Sequence, residues 1–341
     1  MITSHTGTAS YVNNGIHFFR FVSGAEGFVF LSGLVLGMVT GLRIQSQPPM
    51  NSYTRIWRRA GMIWCIHCVL TLIALALNPI FFHYDDIPSL GEWSIPRLIW
   101  GIVTLQIQPA HMLNILPLYV IVLALAPIAF ELLRRGKWAI LTTVSIFLFM
   151  TSQWLPGLGA WVHPVSGGDA FPPAAWQILF ITGMTVGYYR DTIRERFLTP
   201  NRKKLTWTLV ILSVIMITVV TVQLSSFQFY NHESWDLYLW ERHPLRFGRV
   251  LYFFLSASAC YLLVQRASAK FKLIKTPFNA LAVLGRNSLY AFLVHLGLAM
   301  VIGLVQIPPE QWFWMELIPV ATVYLVYRMS LAQVGRKWIP N

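Results

Sequence analysis

The chain is 341 residues long, 56% hydrophobic and 11% charged, with a formal net charge of +13 at pH 7. Ordinary soluble domains contain roughly 25% charged residues, so this composition excludes a soluble globular protein and indicates a polytopic membrane protein. Basic residues recur in every second loop, so the positive charge reflects membrane topology and does not indicate nucleic-acid binding.

Long uncharged segments follow one another along the chain, and most reach the roughly 17 to 25 residues that a membrane-spanning helix needs. They lie at 27–42, 60–84, 98–130, 138–168, 170–189, 205–232, 250–265 and 287–309, with a ninth apolar run at 311–327 that only Glu316 interrupts. The third segment contains Pro109, Asn114 and Pro117, so it is divided into a short piece near 97–107 and a span near 113–133. The sequence therefore predicts an all-α polytopic membrane protein with about nine spans in a single domain, 1–341.

The charged loops give the orientation, because Lys and Arg near span ends mark the cytoplasmic side. Basic loops lie at 43–59, 134–137, 190–204, 266–275 and 336–337, and acidic loops alternate with them at 85–92, 169, 233–241 and 310. The first 25 residues are then expected outside, with Glu26 at the outer interface.

The three cysteines, Cys65, Cys68 and Cys260, all lie inside predicted spans. In "CIHC" (65–68) two thiols flank His67 without a fourth ligand nearby, which favours buried packing over a zinc site. No metal site is expected.

Four segments occur in an order and spacing that resemble a known family: "GAEGFVFLSG" (24–33), "NILPLYVIVLALAP" (114–127), "FPPAAWQILFITGMTVGYY" (171–189) and "LGRNSLYAFLVHL" (284–296). The chain resembles the OpgC-type membrane proteins, the succinyltransferases of osmoregulated periplasmic glucans, within the type 3 acyltransferase superfamily. This resemblance implies a ten-helix protein of the bacterial cytoplasmic (inner) membrane. It also implies transfer of an acyl group, for example succinyl, from cytoplasmic acyl-coenzyme A to a hydroxyl of an extracytoplasmic glycan.

In that superfamily the first helix carries an arginine and then, near its outer end, a histidine. Here "TSH" (3–5) supplies the histidine as His5, and "MITSHTGTASY" resembles the tail of a helix. We therefore expect a tenth, first helix whose beginning is missing from this sequence together with the arginine.

Glu26 is the first candidate for catalysis. It lies on the same helical stripe as three glycines at four-residue intervals, Gly33, Gly37 and Gly41. Small residues at this spacing allow another helix to approach closely, so we expect Glu26 to point into the helix bundle. One hypothesis makes His5 the base that deprotonates the sugar hydroxyl, with Glu26 stabilising the protonated imidazole. The alternative is a structural pair between Glu26 and Arg20 or His17.

Two histidines lie within predicted spans. His295 shares a helix face with Ser288, seven residues earlier, and is a candidate to polarise the thioester carbonyl or to line the acyl path. A hydrogen bond between helices is the alternative for both His295 and His67.

Arginines supply the candidate anion-binding groups. Arg55, Arg58 and Arg59 stand at i, i+3 and i+4 on the cytoplasmic side, where guanidinium forks suit the phosphates of coenzyme A. Their alternative role is to set topology beside anionic lipid head groups. Arg246 and Arg249 lie on the outer side, against the positive-inside trend. They are candidates to hold an acyl carboxylate or the acceptor, and snorkelling to the interface is the alternative.

Trp176 and Gln177, at the outer end of the span after "FPP", are candidates for sugar binding, although aromatic belts also place Trp at interfaces. Three function classes stay open. The first is an O-acyltransferase that contacts the lipid bilayer, acyl-coenzyme A and a glycan acceptor. The second is a transporter of an acyl donor or lipid-linked sugar, which would favour an internal repeat that the sequence does not show. The third is a non-catalytic membrane partner of glucan synthesis.

Overall fold

Helices make up nearly all of the structure. The computed structural model describes residues 23–77, 94–107, 114–155, 171–226, 245–270, 283–284, 288–303 and 312–332. The helices are α1 (Gly24–Ser46), α2 (Pro49–Leu77), α3 (Ile95–Val103), α4 (Ile115–Arg134), α5 (Trp138–Trp154), α6 (Pro173–Tyr188), α7 (Arg190–Ile193), α8 (Thr199–Ser226), α9 (Phe247–Lys270), α10 (Ser288–Gly303) and α11 (Trp312–Ala332), with a π-helical turn at Arg194–Leu198. No strand occurs in these residues, which confirms the all-helical prediction for this part of the chain.

Among the residues that the structure describes, four helices are long and apolar enough to cross a membrane: Gly24–Ser46, Pro49–Ala76, Ile115–Arg134 and Phe247–Arg266. Shorter apolar helices lie at Trp138–Trp154, Lys204–Met216 and Leu317–Ala332. On α1 a row of apolar side chains is 41–53% exposed at helical spacing, namely Leu31, Val35, Val39 and Leu42. Such an exposed apolar face is typical of a helix that contacts lipid. The structure therefore supports a membrane protein, and the number of nine spans stays a prediction.

The region between residues 94 and 134 contains a short helix followed by a spanning one, which confirms the predicted division. After α3 the backbone turns through Leu105 at φ 64°. The N–H groups of Gln106 and Ile107 then donate to the carbonyl oxygen of Gly101 at 2.7 and 3.0 Å, which closes the end of the helix. The turn brings Ile107 into an apolar cluster with residues of α2 and α3, namely Leu75, Leu98 and Ile102.

Two tight turns place the basic loops at neighbouring helix ends. Pro48 and Pro49 separate α1 from α2, because proline cannot continue a helix but suits its first position. Gly136, at φ 71°, ends α4 by a turn that an L side chain would strain.

A cluster of polar side chains then ties α2 to α4. The Tyr53 hydroxyl donates to Oε2 of Glu131 at 3.0 Å. Arg134 donates to both oxygens of the same carboxylate at 2.7 and 2.9 Å, and Arg135 donates to Oε1 at 2.6 Å. Part of the predicted basic loop is therefore engaged in helix packing.

The glycine stripe of α1 packs directly against α6. A Cβ atom at Gly33 would overlap the carbonyl oxygen of Phe180, and one at Gly37 would overlap that of Met184. The contact is reciprocal, because Gly183 and Gly187 of α6 lie equally close to the backbone of α1. This confirms the prediction that the stripe accepts another helix, and it identifies that helix as α6.

The chain divides into two compact units. The larger contains the described residues from Glu26 to Cys260, and within it α2 packs against α4, α4 against α6, and α5 against α6. The smaller contains α9 from Tyr261 onward with α10 and α11, and α10 packs against α11. In this unit Gln265 donates to the Tyr261 hydroxyl.

Candidate active site

A buried ion pair joins the first turns of α1 and α9. Nε of Arg249 donates to Oε1 of Glu26 at 2.5 Å, and the two side chains are 9% and 0% exposed. Glu26 was expected to face the bundle interior, and its complete burial confirms this. Two charges so thoroughly removed from water are tolerated only when they neutralise each other.

The start of α9 is fixed by the end of α5. The Gln153 side-chain amide donates to the carbonyl oxygen of Leu245 at 3.0 Å, and Nη1 of Arg246 donates to the carbonyl oxygen of Gln153 at 3.2 Å. These two contacts hold the segment that leads into Arg249. Arg246 therefore has a structural contact one turn before the ion pair.

An aromatic cluster lies one helical turn beyond the ion pair. Phe30, four residues after Glu26, packs edge-to-face against Phe253 and Phe254 with ring centroids 5.5 and 5.7 Å away. Phe253 is itself four residues after Arg249. These rings join α1 to α9, one turn further along both helices than the ion pair. They cover the ion pair on that side and help to keep water from it.

The proposed base, His5, lies outside the described residues, as do Arg20 and His17. The partnership of Glu26 with any of these residues therefore stays a prediction. The observed partner, Arg249, was predicted as a ligand-binding residue but was not linked to Glu26. A lone acid and two arginines at the same predicted membrane face were the signal that could have suggested this pairing.

The two candidates for sugar binding lie in helix contacts. Trp176 is fully buried, and its ring packs edge-to-face against Phe171 with centroids 4.7 Å apart. Gln177 links α6 to α5: it accepts a hydrogen bond from the Ser145 hydroxyl at 2.7 Å and donates to the Ser145 carbonyl oxygen at 2.8 Å. It also donates to the carbonyl oxygen of Ala174 at 3.2 Å. Both amide protons of Gln177 are thus used in packing.

The three arginines of α2 do not share one environment. Arg55 and Arg58 are exposed, whereas Arg59 is half-buried and its Nε atom is buried without a hydrogen-bond partner in the described structure. Tyr119, a buried residue of α4, has its hydroxyl 2.9 Å from the Ser32 hydroxyl. The contact between Tyr119 and Ser32 is a buried polar link that the sequence did not suggest.

His295 lies in the smaller unit. Its side chain is 1% exposed, and its ring contacts Phe292 edge-to-face with centroids 5.2 Å apart. The predicted role of His295 at the thioester stays a prediction. Metal-ligating side chains do not gather in groups of three or more anywhere in the described residues.

The sequence model of the OpgC protein family matches residues 1–339. The chain belongs to the OpgC family. No curated protein and no solved structure matches it. Membership of the OpgC family indicates a glucan-modifying acyltransferase. In this OpgC protein the buried pair of Glu26 and Arg249 combines a carboxylate that can support a base with a guanidinium that can hold an anion.

Proposed function

We propose that this OpgC protein is a membrane O-acyltransferase that moves an acyl group from acyl-coenzyme A on the cytoplasmic side to a hydroxyl of an extracytoplasmic glycan. The observation that carries the proposal is the buried ion pair between Glu26 and Arg249. Ionisable groups buried within a membrane protein usually serve function because they are costly to place there. The match to the OpgC family supports the same activity.

In the proposed reaction a base takes the proton of the acceptor hydroxyl as the oxygen attacks the thioester carbonyl carbon. The carbon–sulfur bond then breaks, and the departing thiolate receives the proton from the base. His5 is the proposed base, and the Glu26 carboxylate stabilises its protonated form. His295 stays a proposed further group at the thioester.

Arg249 is proposed to hold the acyl group. Its contact with Glu26 uses one of the five N–H groups of the guanidinium, so the terminal fork is not needed to hold the pair together. A fork of this geometry matches a carboxylate, which favours a dicarboxylic acyl group such as succinyl. Glu26 fixes the guanidinium in place, so little entropy is lost when the acyl carboxylate binds.

The donor nucleotide is assigned to the first part of α2. Arg55 and Arg58 are exposed there, as phosphate-binding side chains must be before the ligand arrives. The proposed topology has about nine spans in the cytoplasmic membrane, with the ends of α1 and α4 that carry Arg43 and Arg134 on the cytoplasmic side. Glu26 and Arg249 then lie near the outer face. Trp176 and Gln177 both take part in helix packing, and their role in binding the acceptor stays a prediction.

The test is acyl incorporation into glycan by membrane vesicles that receive labelled succinyl-coenzyme A on the cytoplasmic side. Glu26→Gln keeps the shape of the side chain and removes its charge, so we expect a loss of about 10²- to 10³-fold per folded molecule, as for removal of one acid–base group. The matched control is Glu195→Gln, which removes an exposed acid and should retain parental activity. Absence of incorporation by the parent would refute the acyltransferase, and full activity of folded Glu26→Gln would refute the role of Glu26.

A further inference from the structure

One face of α5 is an exposed surface without charge. Ile140, Val144 and Phe147 lie on this face at intervals of four and three residues, and they are 49%, 49% and 68% exposed. Trp154, the last residue of α5, lies on the same face and is 78% exposed. No charged residue occurs between Lys137 and Trp154. The face from Ile140 to Trp154 is here called the α5 belt.

The two ends of α5 carry the residue types that mark a membrane–water interface. Trp138, the first residue of the helix, is 54% exposed, and Lys137 precedes it directly. Tryptophan is enriched at the level of the lipid head groups, and lysine marks the cytoplasmic side. At the other end α5 stops at Trp154, where the last carbonyl groups of a helix need partners that hydrocarbon does not supply. The interfaces are therefore assigned to Trp138 and Trp154.

These two interfaces are closer together than those of an average bilayer. α5 contains 17 residues, so its first and last residues are about 24 Å apart at 1.5 Å per residue. The hydrocarbon core of a typical bilayer is about 30 Å thick, and tilting the helix would only shorten the distance across the membrane. α6 packs against α5 and contains 16 residues, so it is equally short.

We propose that the α5 belt binds phospholipids that form a thin hydrocarbon layer, so that the bilayer beside α5 is about 6 Å thinner than average. Local thinning is one way in which a bilayer accommodates a span that is too short. Lipid fits the belt better than a second helix does, because helices associate in membranes through small residues. The belt instead presents Ile140, Val144, Phe147 and Trp154.

The outer interface at Trp154 also gives the depth of the ion pair between Glu26 and Arg249. Gln153, next to Trp154, donates to the carbonyl oxygen of Leu245 at 3.0 Å, which places the start of α9 at the same level. Arg249 lies four residues further along α9, about 6 Å. If the proposed function holds, on which this point alone rests, the acceptor hydroxyl reaches the ion pair by passing about one helical turn below the outer interface.

The test measures which lipid lies beside α5. Phe147→Cys, near the centre of the exposed belt, is introduced into the otherwise cysteine-free full-length chain and labelled with a bimane fluorophore. The chain is reconstituted in mixtures of dimyristoleoyl and dierucoyl phosphatidylcholine, in which one lipid at a time is brominated and quenches the fluorophore. Because mismatch costs free energy for every ångström, we expect the short-chain lipid to bind beside this position about threefold more strongly than the long-chain lipid.

The matched control is the same label at Val69→Cys on α2, where the side chain is 55% exposed. Arg59 is the last charged residue of α2, and the helix continues from it to Leu77, about 27 Å along the axis. This span fits a bilayer of ordinary thickness, so the label there should show the two lipids binding about equally. Adding Trp154→Leu to the chain labelled at Phe147→Cys should reduce the preference for the short-chain lipid, because it removes the outer anchor.

Equal binding of the two lipids beside α5 would overturn the inference. The same preference at both labelled positions would also overturn it, because the thinning would then not belong to α5. An unchanged preference in the Trp154→Leu chain would overturn the assignment of the outer interface to Trp154. None of these measurements requires acyl transfer, so their failure is distinct from failure of the proposed function.

Discussion

Removing either charge of the pair between Glu26 and Arg249 should destabilise the protein far more than removing both. Glu26→Gln removes the carboxylate that neutralises the buried Arg249 guanidinium, and Arg249→Gln removes the guanidinium that the structure pairs with Glu26. The double variant places two neutral amides at the contact. Nε of Arg249 and Oε1 of Glu26 are 2.5 Å apart in the parent, so the two amides can form a hydrogen bond after a small movement of their side chains.

The burial of both side chains sets the magnitude. Breaking a buried pair by removing one partner typically costs about 3 to 5 kcal/mol. In a membrane protein the unfolded reference also keeps its helices in an apolar phase, which reduces such effects, so we expect each single variant to lose about 3 kcal/mol. The double variant should lose only about 1 kcal/mol, the value of one ordinary hydrogen bond. The coupling between the two positions is then several kcal/mol, within the range measured for close charge pairs.

The assay is unfolding of detergent-purified protein by titration with sodium dodecyl sulfate, followed by tryptophan fluorescence, for the parent and the three variants. Arg328→Gln is the control, because this exposed arginine donates to the Tyr324 hydroxyl on its own helix and should change stability by less than about 1 kcal/mol. The reasoning would be refuted if the two single losses simply added in the double variant, because the charges would then not act as a pair.

Three further predictions follow from the packing, the acyl contact and the topology. Gly33→Ala should lower the free energy of unfolding by about 1 to 3 kcal/mol, because α6 leaves no room for a methyl group. The control Gly27→Ala meets open space and should raise the free energy of unfolding by about 0.5 to 1 kcal/mol. Equal effects of the two variants in the same unfolding assay would contradict the helix contact. Arg249→Lys keeps the charge but loses the fork, so the ratio of succinyl to butyryl transfer should fall about 10-fold, and an unchanged ratio of initial rates would remove Arg249 from the acyl site. Cysteines introduced at Gln47 and Lys137 of an otherwise cysteine-free chain should be protected from a membrane-impermeant thiol reagent until cells are permeabilised, and reaction in intact cells would invert the topology.

Local features of the fold were predictable from the sequence because they depend on spacing along a single helix. The four-residue spacing of Gly33 and Gly37 predicted a close helix contact, and the position of Glu26 on that stripe predicted its burial. The proline and asparagine residues near 109–117 predicted that a short helix precedes a spanning one. In each case the pattern that supports the prediction lies within one or two helical turns of the residue concerned.

The site was less predictable because its contacts join residues far apart in sequence. Glu26 and Arg249 are 223 positions apart, and nothing in the local sequence of either residue specifies the other. Spacing also failed to separate the environments of Arg58 and Arg59, because adjacent residues on a helix point about 100° apart. A set at i, i+3 and i+4 therefore covers a wide face, and only packing against α4 decides which member turns inward.

The position of the ion pair follows from the packing beneath it. The glycines of α1 and α6 each lie against the backbone of the other helix and hold the two helices together. Glu26 lies seven residues before Gly33, about 10 Å along the helix axis. The aromatic contacts of Phe30 with α9 lie between these two levels, so α1 is held on two sides below the carboxylate. A methyl group at Gly33 would therefore move Glu26 without changing its charge, and it should lower the rate of transfer while preserving the preference among acyl donors. Arg249→Lys acts in the opposite way, since it leaves the helix packing intact and alters that preference. The two variants thus separate the geometric contribution of α1 from the chemical contribution of the guanidinium.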